Sequence, residues 1–120
     1  MNWDIYIQDL PDVASAADIP ADFKPGPIGS REELVRKITE VFPSADRQDS
    51  DWLFVNTSTI DLSIQLHMED AMNVRYAVVH VHGGEGSAAG VAALLRHLEL
   101  RALDTATGEL YDGFTLDESL

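Results

Sequence analysis

Apolar and polar residues alternate with a period of two over several stretches of the chain. At 3–8, Trp3, Ile5 and Ile7 alternate with Asp4, Tyr6 and Gln8, the signature of a half-buried strand. The longest alternation runs over 59–68, where Ile60, Leu62, Ile64, Leu66 and Met68 interleave with Thr59, Asp61, Ser63, Gln65 and His67. Residues 74–82 form a second long strand, and the link 69–73 is short enough for a hairpin. Pairing about that link turns Ile60, Leu62 and Ile64 inward with Val81, Val79 and Ala77. On the outer face it sets Asp61 opposite His80, Thr59 opposite His82 and Gln65 opposite Tyr76. A one-residue slip would turn every one of these side chains over. The run Trp52-Leu53-Phe54-Val55 reads as a short buried strand, with Trp52, like Trp3, in the core. Residues 100–104 read as a strand, and Thr107-Gly108 as a turn into an arm at 109–111.

Two stretches change to a helical period. Ser30 with Glu33 forms a capping box, and Leu34, Val35, Ile38, Val41 and Phe42 make one apolar stripe that ends at Pro43. A second helix is expected over about 87–98, with Ser87 as N-cap and Val91, Leu94, Leu95 and Leu98 as its stripe. Between strand and first helix, 9–29 holds Pro11, Pro20, Pro25 and Pro27, so it reads as a long ordered loop pinned by Ile19, Phe23 and Ile28. Residues 44–51 read as a polar turn and 112–120 as a frayed acidic tail. The expected fold is one α+β domain over 1–120. It has a mostly antiparallel sheet of about five strands and two helices packed on one face.

Charge narrows the possible partners. The chain's 120 residues include 21 Asp plus Glu and 8 Lys plus Arg, a net charge of −13. A phosphate backbone or an anionic bilayer attracts cations, so neither nucleic acid nor membrane is an expected partner. There is no cysteine, which removes disulfides and thiolate sites. The start MNWDIYIQDL reads as a strand and not a signal peptide, so a cytoplasmic location is expected.

Motif chemistry is sparse. Gly84-Glu85-Gly86-Ser87-Ala88-Ala89 fits G-x-G-x-x-A, but Glu85 would put an anion in the phosphate cradle and the preceding strands read as a hairpin. His80 and His82 share a strand face with Asp61 and His67, a set of zinc-competent side chains whose plainer reading is a polar outer face. No nucleophile-elbow, zincin or P-loop motif is present. No catalytic residue, metal ligand or cofactor is therefore assigned. The acids are more informative. Asp12, Asp18 and Asp22 lie in the proline-rich loop, Asp46, Asp49 and Asp51 in the 44–51 turn, and Glu109 and Asp112 near the C-terminus. Together with Asp61, Tyr76, His80 and His82 of the outer face, they make a candidate docking surface for a basic protein. The competing reading is a coat of charge for solubility.

Three segments carry a resemblance: WDIYIQD at 3–9, ADFKPGPIGSREEL at 21–34 and LRALDTATGELYD at 100–112. Together they resemble a group of small acidic bacterial proteins. Similar proteins sit beside polymorphic and contact-dependent toxins as cognate immunity proteins. The resemblance implies a protein that binds a basic toxin domain, a nuclease in the first instance, as a monomer or weak dimer. It carries no catalytic motif. A dimeric adaptor or chaperone for a secreted effector is the alternative, and a metal- or nucleotide-dependent enzyme a more distant one.

Overall fold

The computed structural model describes residues 3–118. Strand β1 (Trp3–Gln8) is followed by the long loop, which holds one 3-10 turn at Ala16–Asp18 and ends in the two-residue β2 (Gly29–Ser30). Then come α1 (Arg31–Val41), β3 (Asp46–Asp49), β4 (Trp52–Asn56), β5 (Asp61–Met68) and β6 (Asn73–Gly83). Helix α2 (Ser87–Leu98), β7 (Arg101–Asp104), β8 (Leu110–Tyr111) and α3 (Gly113–Glu118) complete the chain. The class is α+β, as the patterning indicates, and every strand pairing is antiparallel. The sheet has eight strands, not about five, in the path β3-β4-β5-β6-β1-β7-β8, with β2 also paired to β6. The surplus has a physical cause. Strand β3 is Asp-Arg-Gln-Asp, exposed at every position, so no apolar alternation betrays it. It is an edge strand held by backbone pairing to β4.

The core lies on one face of this sheet. Ile5 and Ile7 of β1, Leu62 and Ile64 of β5 and Val79 of β6 are buried with Leu34 and Ile38 of α1 and Val91, Leu94 and Leu95 of α2. Ser30 caps α1, its Oγ accepting the Glu33 N–H at 3.2 Å. A side chain on Gly90 would put its Cβ 3.0 Å from the Phe42 ring, so the missing methyl lets α2 close on the end of α1.

Three local expectations are corrected. First, the β5–β6 hairpin keeps its inward and outward faces but slides by two residues: Ile64 faces Val79, Ser63 faces His80 and His67 faces Tyr76. A bulge between His67 and Met68 inserts Arg75, and a second one sets Asp61 against Gly83 in place of His80. Second, Ser87 does not cap α2; Gly86 holds that position without a side-chain bond. The buried Ser87 Oγ instead donates to the Gly83 carbonyl at 2.6 Å and accepts the Asp61 N–H at 3.1 Å, tying the end of β6 to the start of β5. Third, the C-terminal segment does not fray through 118. Asp112 accepts the N–H groups of Phe114 and Thr115, and Leu116 is buried in the core. Ser119 and Leu120 lie outside the described residues.

The proline-rich loop is ordered by backbone pairing and by one carboxylate. Ser15 bridges Glu109 beside β8, Asp9 accepts the Gly26 N–H at 2.9 Å, and Ile28 N–H reaches Val74 O at 2.9 Å. Among the described residues no helix is long and apolar enough to cross a membrane.

Candidate functional site

The sheet face turned away from the helices is built in rows. Trp52 pairs with Gln65, Gln65 with Val78 and Val78 with Tyr6. The next row runs Phe54, Ser63, His80 and Asp4. Trp52 is therefore an outer-face residue, which corrects its assignment to the core. Within the run Trp52–Val55, Leu53 and Val55 take the buried side and push both rings outward. Trp3 stays on the core side, its Nε1 donating to Asp104 Oδ2 at 3.0 Å.

Rings dominate this face. Trp52 stacks on Phe54 and on His80, each with centroids 5.8 Å apart. Tyr76 stacks between His67 at 4.5 Å and Tyr6 at 5.6 Å. Val78, on the same face, is only 3% exposed, so the larger side chains around it form a layer of their own. Phe54 remains 39% exposed. His80 is fixed from β1: its Nδ1 lies 2.9 Å from Asp4 Oδ1, as the neighbouring places in the row dictate.

A groove of about 580 Å³ opens here, lined by Gln48, Asp49, Trp52, Phe54, Ser63, His80 and His82. Ser63 is 2% exposed, and its Oγ sits 3.2 Å from His82 Nε2. His80 Nε2 is buried without a hydrogen-bond partner among the described residues. Among the described residues no Lys or Arg lines the groove. A hydroxyl beside an imidazole has the form of a nucleophile and base. Ser63, however, lies mid-strand between two paired neighbours, β4 and β6, in a sheet whose backbone N–H groups are committed to the ladder. The arrangement is suited to holding a ligand with rings, lone pairs and negative charge.

The expected docking residues are not gathered at one place. Asp49, His80 and His82 meet in the groove, and Asp46 is exposed beside it, opposite Phe54. Tyr76 lies farther along the same face. Asp51 turns toward α1 and pairs with Arg31 at 3.1 Å. Asp61 is half-buried at the start of β5. Asp12 pairs with Arg101 at 3.1 Å, and Arg101 also helps to hold the Asp112 carboxyl below its ordinary range, after the backbone bonds from Thr115. Glu109 bonds the Tyr111 hydroxyl next to them. Asp18 and Asp22 are exposed in the loop. Asp46 and Asp49 therefore lie at the β3 end of the sheet and Asp12, Glu109 and Asp112 at the β8 end, about 29 Å apart at ordinary strand spacing, with Asp61 between them on β5.

Electrostatics reinforce this layout. Among the described residues Arg31, Arg36, Lys37, Arg47, Arg96 and Arg101 are in ion pairs. Arg47 binds both Glu32 oxygens, at 2.9 and 3.0 Å, and that bond lowers the Glu32 pKa. Four of these pairs neutralise acids of α1 and α3, the other two hold Asp51 and Asp12, and none involves the groove carboxylate Asp49 among the described residues. His67 is held below its ordinary pKa, first by burial and then by His80, with Asp51 opposing. The rings of Trp52 and Phe54 are the functional candidates that patterning misses, because four consecutive apolar residues hide a period of two.

Among the described residues no group of three or more His, Cys, Asp or Glu side chains converges to hold a metal ion. The glycine loop before α2 is filled by its own chain: Gly86 N–H donates to Thr59 O at 2.8 Å, and a Cβ on Gly84 would fall 2.5 Å from that oxygen. Compared with known proteins, the chain matches no family model, no curated protein and no solved structure.

Proposed function

We propose that this chain is an immunity-type binding protein that neutralises a basic toxin domain, a nuclease in the first instance, by covering its active cleft. The observation that carries the reading is the outer sheet face. Exposed and half-exposed rings at Trp52, Phe54, Tyr76 and Tyr6 stand beside the carboxylates of Asp4, Asp46 and Asp49, and no Lys or Arg lines the groove among them. Aromatic anchors supply most of the binding energy at protein interfaces, and complementary charge supplies on-rate and selectivity. A nuclease cleft is lined by cations that receive phosphates, so a carboxylate-rimmed face is a fitting plug for it. The charge of −13 over 120 residues supports attraction to such a surface at long range.

The test is genetic and biochemical. The gene immediately upstream is sequenced, and a basic C-terminal domain encoded there is expressed with and without this chain; an upstream gene that encodes no such domain counts against the proposal. The proposal expects growth to be rescued, the two chains to co-purify, and nucleolysis to stop on mixing. Continued killing with both proteins present, or cleavage unaffected by excess chain, would count against it.

A further inference from the structure

Building on that reading, we infer that the groove beside the β3–β4 hairpin is the seat of one arginine side chain of the basic partner. Its guanidinium would lie on the open face of the Phe54 ring, extending the Phe54–Trp52 stack, with Asp49 at its edge. Three observations converge. The rings of Phe54, Trp52 and His80 form a continuous stack, with interplanar angles of 15° and 21°, and Phe54 leaves that stack open at its outer end. A planar guanidinium extends such a stack, and it is more weakly hydrated than an ammonium, so it gives up less on leaving water. Next, Asp49 is fixed rather than free: its Oδ1 accepts the Asp51 N–H at 3.0 Å, and its register partner is Trp52. Finally, no Lys or Arg lines the groove among the described residues, so its negative edge is left for a cation from outside.

The chain's own cations do not fill the seat. Arg47, on the same hairpin, reaches Glu32 and the Ser50 carbonyl, and Arg31 is held by Asp51. The groove is thus a cation-binding shape from which the nearest intramolecular cations are withdrawn.

The experiment uses the whole chain and a hexa-arginine peptide, with hexa-citrulline and hexa-lysine as comparisons. The protein has two tryptophans, so the two indole N–H signals in an NMR titration report Trp52 and Trp3 separately. The expected result is a saturable shift of the Trp52 signal with arginine, while Trp3, on the core side, stays still. Citrulline should leave Trp52 unmoved, and lysine should bind about fivefold more weakly. Asp49→Asn should weaken the arginine peptide by about fivefold, and Asp12→Asn, at the far edge, should not. An unmoved Trp52 signal, equal binding of lysine, or equal weakening by Asp12→Asn and Asp49→Asn would overturn the inference. No toxin enters this test. A chain that neutralises a basic domain through other acids fails here alone; a chain that seats arginine yet protects against no toxin fails the functional reading alone.

Discussion

His80 and Asp4 are joined across the β1–β6 pairing, Nδ1 to Oδ1 at 2.9 Å, and the other side of the His80 ring system meets Trp52. The third described strand neighbour thus braces an aromatic stack that begins on β4. Asp4→Ala should loosen that stack. Because the pair is partly solvent-exposed, the cost in stability is small, about 0.5–1 kcal/mol by urea unfolding. The informative readout is Trp52 emission, which should change in the folded protein; an unaltered spectrum would separate Asp4 from the stack.

Ser87 gives a larger effect. Its buried hydroxyl serves both the Asp61 N–H and the Gly83 carbonyl. Ser87→Ala leaves that N–H without its acceptor and should cost about 1–3 kcal/mol in thermal or chemical unfolding. A simple N-cap on an exposed helix end would not involve β5, so hydrogen exchange at the Asp61 amide should rise in this variant.

Two glycines with positive φ should respond differently to alanine. Gly84 has φ +87° and faces the Thr59 carbonyl, whereas Gly108 has φ +76° and nothing within 4 Å of a built Cβ. Gly108→Ala should cost only the left-handed penalty, about 1–2 kcal/mol. Gly84→Ala adds a backbone collision to that penalty and should lower the melting temperature clearly further. Equal losses would contradict the close packing of this loop on Thr59.

His67 links stability to pH. Burial holds its folded pKa below the ordinary 6.5. The unfolded chain therefore binds the proton first as pH falls, and stability should be lost on descending from about 6.5 toward the folded value. Above that window the contribution is constant. His67→Phe keeps a ring for Tyr76 to stack on and removes the titration. The difference in unfolding free energy between wild type and variant should bend near pH 6.5; a flat difference would contradict the burial of this imidazole.

The last helix should matter to the fold. Leu116 is buried in the core, and a Cβ on Gly113 would approach the Ala92 carbonyl to 2.6 Å. Leu116→Ala should cost about 2–5 kcal/mol. A cost near zero, measured by denaturant titration, would place 113–118 back in solution.

Much of this fold was legible because its long elements repeat a pattern. The period of two over 59–68 placed Leu62, Ile64 and Leu66 inward, and the capping box located the start of α1. Parity survived the two-residue slide of the hairpin, since an even offset keeps each side chain on its face. What patterning did not show has specific causes. The Arg75 bulge leaves no mark in composition and supplies one residue of the slide, so on β5 Ser63 and not Asp61 faces His80, while the bond to Asp4 comes from β1, 76 positions away. The all-polar β3 and the uniformly apolar Trp52–Val55 lack any contrast from which to read a face. The groove lies between those two segments, so the candidate site was the least visible part of the molecule.

The central claim, that this sheet face binds a basic protein domain, is tested most directly by calorimetry. A basic domain identified in the gene upstream is titrated into the wild-type chain at low and high salt, and into a Trp52→Ala/Phe54→Ala variant with unchanged circular dichroism. The account predicts a one-to-one complex that weakens with salt and loses about thirtyfold or more in affinity in the variant. No binding by the wild type, or equal affinity for wild type and variant at both salt concentrations, would contradict it.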